Sequence, residues 1–105
     1  MRISIVIPTL KEAQNLKPLL QDLAGLRDQG HEILLVDGGS DDRTVALAEG
    51  QVDRVLIGTR GRAAQMNAGA RVAKGDILWF VHADSRVPAD AASCLIVGCG
   101  AGHHW

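Results

Sequence analysis

Tyrosine is absent from this sequence, phenylalanine occurs once and tryptophan twice, so aromatics make up 3% of its 105 residues. A surface so poor in aromatics offers no platform on which nucleic-acid bases could stack. Charge of one sign is lacking too: 11 Lys and Arg against 12 Asp and Glu leave a net charge of -1, no field to hold a polyanion. Nucleic acid is therefore not an expected partner. Long hydrophobic runs are also missing. The apolar opening Ile3-Ser4-Ile5-Val6-Ile7 stops at Pro8, far short of the ~18 residues a membrane span needs, and no small-residue cleavage site follows it. The expectation is a cytoplasmic protein without a transmembrane segment. Cysteine occurs only at Cys94 and Cys99. That spacing matches no zinc pattern, so two reduced thiols are expected, a disulfide being unusual in the cytoplasm.

What is present is an ordinary globular balance, 47% apolar and 22% charged residues, in a chain the size of one domain. A single domain over residues 1–105 is expected. Its opening strand is nearly continuous in apolar character, as a strand covered on both faces must be. Leu16, Leu19, Leu20 and Leu23 then share one face of a helix, with Asn15 as its cap, Pro18 in its first turn and Gly30 as its stop. A second buried strand, Glu32 to Asp37, leads through Gly38-Gly39-Ser40-Asp41-Asp42 into a helix carrying Thr44, Val45, Leu47 and Ala48. A third strand spans Val52 to Ile57. A helix follows with Ala63, Met66, Ala70 and Ala73 on one side and Gly75 at its C-terminus. Asp76 to Val81 reads as a fourth strand, and Pro88 opens a last helical stretch from about Ala89 to Val97. This alternation predicts an α/β fold: an open, doubly wound, mostly parallel sheet with helices on both faces. Ligands of such sheets sit beyond the carboxyl ends of the strands. Three polar clusters, Pro8 to Glu12, Asp37 to Asp42 and His82 to Ser85, each follow a strand, so they are expected to meet on one rim.

Four motifs in order make the reading specific. Ile7-Pro8-Thr9-Leu10-Lys11-Glu12-Ala13-Gln14-Asn15-Leu16 resembles the opening motif of family 2 glycosyltransferases, and Val36-Asp37-Gly38-Gly39-Ser40-Asp41-Asp42-Arg43-Thr44 is similar to their second. Gly61-Arg62 with Gln65-Met66-Asn67-Ala68-Gly69 resembles the third, and Phe80-Val81-His82-Ala83-Asp84 lies where that family keeps Asp-x-Asp. The last two together are also similar to the subgroup labelled arsenosugar-type glycosyltransferases. The resemblance implies the Rossmann-like, nucleotide-binding half of a GT-A enzyme. It further implies a nucleotide-sugar donor such as a UDP-sugar, a divalent metal (Mn2+ or Mg2+), and inverting transfer to a hydroxyl acceptor.

The implied donor contacts are Pro8, Thr9, Glu12, Asp37, Gly38, Arg62, Asn67 and Ala83, with Asp84 and His82 toward the metal. Asp37, acceptor-only when ionised, suits a uracil N–H or a ribose hydroxyl, and equally suits capping the next helix. Thr9 and Glu12 fit a nucleoside contact or a capping box. Ser40, Asp41 and Asp42 read as helix-start groups. Arg62 offers phosphate a fork of donors, or stands as a solvated surface charge. Gly69 inside a helix costs about 1 kcal/mol against alanine, which suggests a close approach to the sheet or to ligand. Asp84 suits a hard divalent ion, whereas His82 stands in place of the family's first Asp and is either a ligand or a packed histidine.

In the family the acceptor half and its general base follow Asp-x-Asp, and this sequence ends at Trp105. The expectation is an incomplete glycosyltransferase, with no residue here nominated as base. The alternatives are a nucleotide-diphosphate-binding module without turnover, or an α/β piece that forms a homo-oligomer through an exposed sheet edge. His103-His104 lack a third ligand and are not expected to hold metal.

Overall fold

The structure, a computed structural model, describes residues 2–58, 60–88 and 90–91. Strands β1 (Ile3–Thr9), β2 (Glu32–Asp37), β3 (Arg54–Ile57) and β4 (Ile77–Phe80) alternate with helices α1 (Ala13–Asp28), α2 (Thr44–Ala48) and α3 (Arg62–Val72). The sheet is parallel throughout, in the order β3-β2-β1-β4. The two central strands are in register from Ser4 opposite Glu32 to Thr9 opposite Asp37. The expected last helix after Pro88 falls almost wholly outside the described residues, as do Cys94, Cys99 and the terminal histidines. No described helix is long and apolar enough to cross a membrane.

The pleat sorts the strand residues onto two faces. Ile3, Ile5 and Ile7 of β1 with Ile33 and Leu35 of β2 form one core with Leu16, Leu19, Leu20, Leu23 and Leu26 of α1. Val6, Leu34 and Val36 point the other way, against Ala68 and Val72 of α3. Helices thus cover both faces, as the continuous apolar strands required.

Three local expectations give way to tertiary contacts. α1 starts at Ala13 rather than after Asn15, so Pro18 lies inside the helix instead of in its first turn. The early start is supported from the neighbouring loop: Thr44 Oγ1 accepts the Glu12 N–H at 3.0 Å and Asp42 accepts the Ala13 N–H at 3.5 Å. Asn15 does not cap; it donates to the Glu12 carboxylate at 3.1 Å. The buried stripe of α3 is also rotated from the expected one. Gln65 and Gly69 are buried, with Ala68, Val72 and the expected Ala73 packed against the sheet, while Ala63 is exposed. Finally, α3 ends at Val72, and Gly75 serves a close approach to β1 rather than a helix cap. Its N–H donates to Ser4 Oγ at 2.7 Å, and a β-carbon there would come within 2.7 Å of the Arg2 carbonyl.

Candidate functional site

Parallel strands put all their carboxyl ends on one rim, and the three polar clusters follow β1, β2 and β4 there. The β1–α1 and β2–α2 loops are knitted together. Lys11, at a left-handed φ of 55°, donates its N–H to Ser40 Oγ at 2.8 Å. Asp37, 1% exposed, organises the second loop. One carboxylate oxygen accepts from Thr9 Oγ1 at 2.9 Å and Ser40 Oγ at 2.6 Å; the other accepts from the Gly39 and Ser40 N–H groups at 2.9 and 2.7 Å. Burial pushes this carboxyl up, but the Ser40, Thr9 and Gly39 donors outweigh it and hold it below its ordinary 3.8. Those four bonds use the acceptor capacity of an ionised carboxylate, so Asp37 acts on the rim by fixing the 37–40 loop. Asp42 serves the start of α2, accepting from both the N–H and the hydroxyl of Thr44. The capping box that Thr9 and Glu12 could have made is not formed, because Thr9 belongs to β1 and donates to Asp37.

Beyond the ends of β1 and β4 the rim opens into contiguous cavities that all share Pro8 and Arg62. The first, about 200 Å³, is lined by Thr9, Leu10, Glu12, Arg60, Gly61 and Gln65 besides these two. The second, about 250 Å³, adds Met66, Phe80, Val81 and His82. The third, about 240 Å³, brings Glu12, His82, Ala83 and Asp84 together. Arg60, Arg62 and Glu12 thus line the first cavity, and Arg62 lines the third together with Glu12, His82 and Asp84. The first turn of α3 adds the positive end of a helix dipole at Arg62.

The segment bearing His82 and Asp84 is braced from below. Asp22 of α1 accepts from Arg86 Nε at 2.7 Å, from Arg86 Nη2 at 3.0 Å and from the Val87 N–H at 2.9 Å. The Arg86 hydrogen bond is the chief reason the Asp22 carboxyl lies below its usual range.

Of the expected residues, Pro8, Thr9, Glu12, Arg62, Ala83, His82 and Asp84 meet at this cleft. Thr9 and Ala83 are nonetheless buried, 2% and 3% exposed, and Ala83 packs in the main core. Asp37 and Gly38 are buried at the rim and line none of these cavities, with Gly38 against the Gln65 side chain. Asn67 is exposed on α3 and lines none of these cavities. Sequence reasoning gave no role to Arg60 or Gln65. The signal for Gln65 was its place in the stripe 65, 68, 69, 72, at helical spacing with two small residues and a valine.

Among the described residues no group of three His, Cys, Asp or Glu is close enough to hold a metal ion alone. Glu12 and Asp84, which line one cavity with His82, are carboxylates of the type a hard divalent ion takes one or two of when phosphate oxygens complete its shell.

Residues 4–96 match the family described as Glycosyl transferase family 2. The chain belongs to that family. Among its curated glycosyltransferase relatives is the undecaprenyl-phosphate 4-deoxy-4-formamido-L-arabinose transferase of Aeromonas hydrophila subsp. hydrophila, 32% identical over 105 aligned positions that cover 90% of this chain and 32% of the relative. The family 2 chain thus spans about a third of that relative's length. Its fold is that of GT-A glycosyltransferases. A mannosyltransferase from Pyrobaculum calidifontis, solved in complex with GDP-Man and Mn2+, superimposes with a TM-score of 0.80 at 25% identity, over 90% of this chain and 31% of that one. TarS 1-349 of S. aureus in complex with UDP-GlcNAc gives a TM-score of 0.80 at 21% identity, over 92% of this chain and 30% of that one, a likeness of fold.

Proposed function

We propose that residues 1–105 form the donor-binding domain of a glycosyltransferase, holding a nucleoside-diphosphate sugar, in the first instance a UDP-sugar, in the cleft at the ends of β1 and β4. The observation that carries this reading is the pair Pro8 and Arg62, common to three cavities, one of which brings the Arg62 guanidinium together with Glu12, His82 and Asp84. A diphosphate needs cationic donors on one side, and Arg62 with Arg60 offers planar forks to its oxygens. On the other side Asp84, with His82 beside it, would hold Mn2+ or Mg2+ together with those same oxygens. A divalent ion bound there supplies Lewis-acid neutralisation of the charge left on the departing diphosphate. Thr9, Pro8 and the loop fixed by Asp37 shape the nucleoside end.

In the transfer, the bond from the anomeric carbon to the diphosphate oxygen breaks as the acceptor hydroxyl oxygen bonds to that carbon from the opposite side. The electron pair leaves with the diphosphate, and the hydroxyl proton passes to a base. None of the residues of this cleft is assigned as that base. The mannosyltransferase solved with GDP-Man supports a nucleotide-sugar donor in general terms. The alternative reading of the same cleft is a module that binds donor without turning it over.

The deciding experiment titrates the chain with UDP, GDP and their sugars, with and without Mn2+, while following release of UDP. Binding with release supports transfer chemistry, and binding without release supports the module. No binding of any nucleotide would end the donor-site reading.

A further inference from the structure

Gln65 is a polar side chain buried in a helix face that packs on a sheet, 5% exposed. Its Nε2 donates to the carbonyls of Thr9 and Val36, both at 2.8 Å, and its Oε1 accepts the Gly61 N–H at 3.1 Å. The first two partners lie at the carboxyl ends of β1 and β2, the third at the residue preceding α3. One amide therefore uses both its N–H donors on the central strands and its oxygen on the loop between Arg60 and Arg62. Gly38 closes the other side: a β-carbon there would sit 3.0 Å from Gln65 Oε1 and 3.2 Å from Cδ. Gly61 has a φ of 133°, a conformation only glycine adopts readily, and its N–H is directed at this amide.

An apolar residue would serve packing on a sheet at this depth. What the amide adds is direction: it ties the strand ends to the turn that carries both arginines. We infer that Gln65 is the positioning residue of the cleft, setting the arginine-bearing rim against the Pro8–Glu12 wall. Its consequence for ligand affinity rests on the donor-site reading above, whereas its effect on the loop does not.

The test uses the full chain with Gln65→Met, similar in length but without N–H donors, and Gln65→Glu, similar in shape with a carboxylate turned toward two carbonyls. Hydrogen exchange at the Gly61 and Gly38 amides should rise about tenfold or more in Gln65→Met while amides inside β1 and β2 keep their protection. Affinity for UDP with Mn2+ should fall about tenfold, the equivalent of one buried hydrogen bond. In Gln65→Glu the loss should be large near pH 8 and partly recovered near pH 5.5, because a protonated carboxyl regains one donor and its burial raises its pKa. Wild type should show no such recovery. Unchanged exchange at Gly61 and Gly38 would overturn the inference. So would loosened exchange with UDP affinity within about twofold of wild type in the folded variant. Protection lost throughout the strands in Gln65→Met would make Gln65 a core-stability residue instead, and also overturn it. If wild type binds no UDP, the donor-site reading fails, and the exchange pattern alone decides the role of Gln65.

Discussion

Replacing Gly69 with alanine tests how α3 is seated on the sheet. A β-carbon at this position would run into Val6 Cγ1 and come within 3.2 Å of Val36 Cγ2. Val6 and Val36 are 0% and 1% exposed, and both belong to the two central strands, so neither β-branched side chain has room to turn away. The helix has to lift, and forcing an extra carbon into a packed contact costs about 1–3 kcal/mol. The exchange of glycine for alanine returns about 1 kcal/mol of helix propensity. A net loss of up to about 2 kcal/mol is expected, lowering the melting temperature by roughly 4–8 °C for each kcal/mol lost in a domain of this size. Gly25 supplies the control. It lies inside α1, and a β-carbon there meets nothing within 4 Å. Gly25→Ala should therefore gain about 0.5–1 kcal/mol unopposed. Urea denaturation with an unchanged m-value, paired with thermal melts, measures both. Shifts of the same sign in the two variants would refute the reasoning.

The remaining predictions concern the rim and its supports. Asp37→Asn should cost about 1 kcal/mol, since its oxygen can stay on the Gly39 and Ser40 amides while the Thr9 and Ser40 hydroxyls rotate to accept; Asp37→Ala should cost about 2–3 kcal/mol because those amides lose their acceptor, as urea midpoints will read. Because the folded Asp37 carboxyl lies below 3.8, its contribution is complete above that pH and lost as pH falls through its folded value, and Asp37→Asn should flatten that acid limb. His31 Nδ1 accepts the Ile3 N–H at 3.0 Å, and burial, with Arg2 nearby, holds the imidazole below its ordinary 6.5. Its stabilisation is full above pH 6.5 and lost as pH falls below it, so the urea midpoint should drop on acidification, and less so in His31→Gln. Asp84→Ala should abolish the metal-dependent part of UDP binding and leave the metal-independent part, which isothermal titration with and without Mn2+ separates; equal loss of both would remove Asp84 from the metal-holding role.

Much of the architecture follows from the sequence alone, because the signals are local and periodic. Ile3, Ile5 and Ile7 alternate with Ser4 and Val6, and apolar residues on both faces of a strand can be buried only in a sheet covered twice. Asp37 ends β2 and Asp84 follows β4, and parallel order alone sends both to one rim. Partner choice is different, since it depends on groups far apart in the chain. The Gln65 amide reaches Thr9, 56 positions away, and this contact exists only once β1, β2 and α3 have docked. Likewise Thr9 reaches Asp37 from 28 positions away, α1 starts at Ala13 on acceptors borrowed from Asp42 and Thr44, and Asn67 is exposed and lines none of the cleft's cavities. Periodicity determined which residues go inside and which end of the sheet carries the polar groups. Tertiary packing decided which of those groups are spent on holding the rim together and which face the space above it.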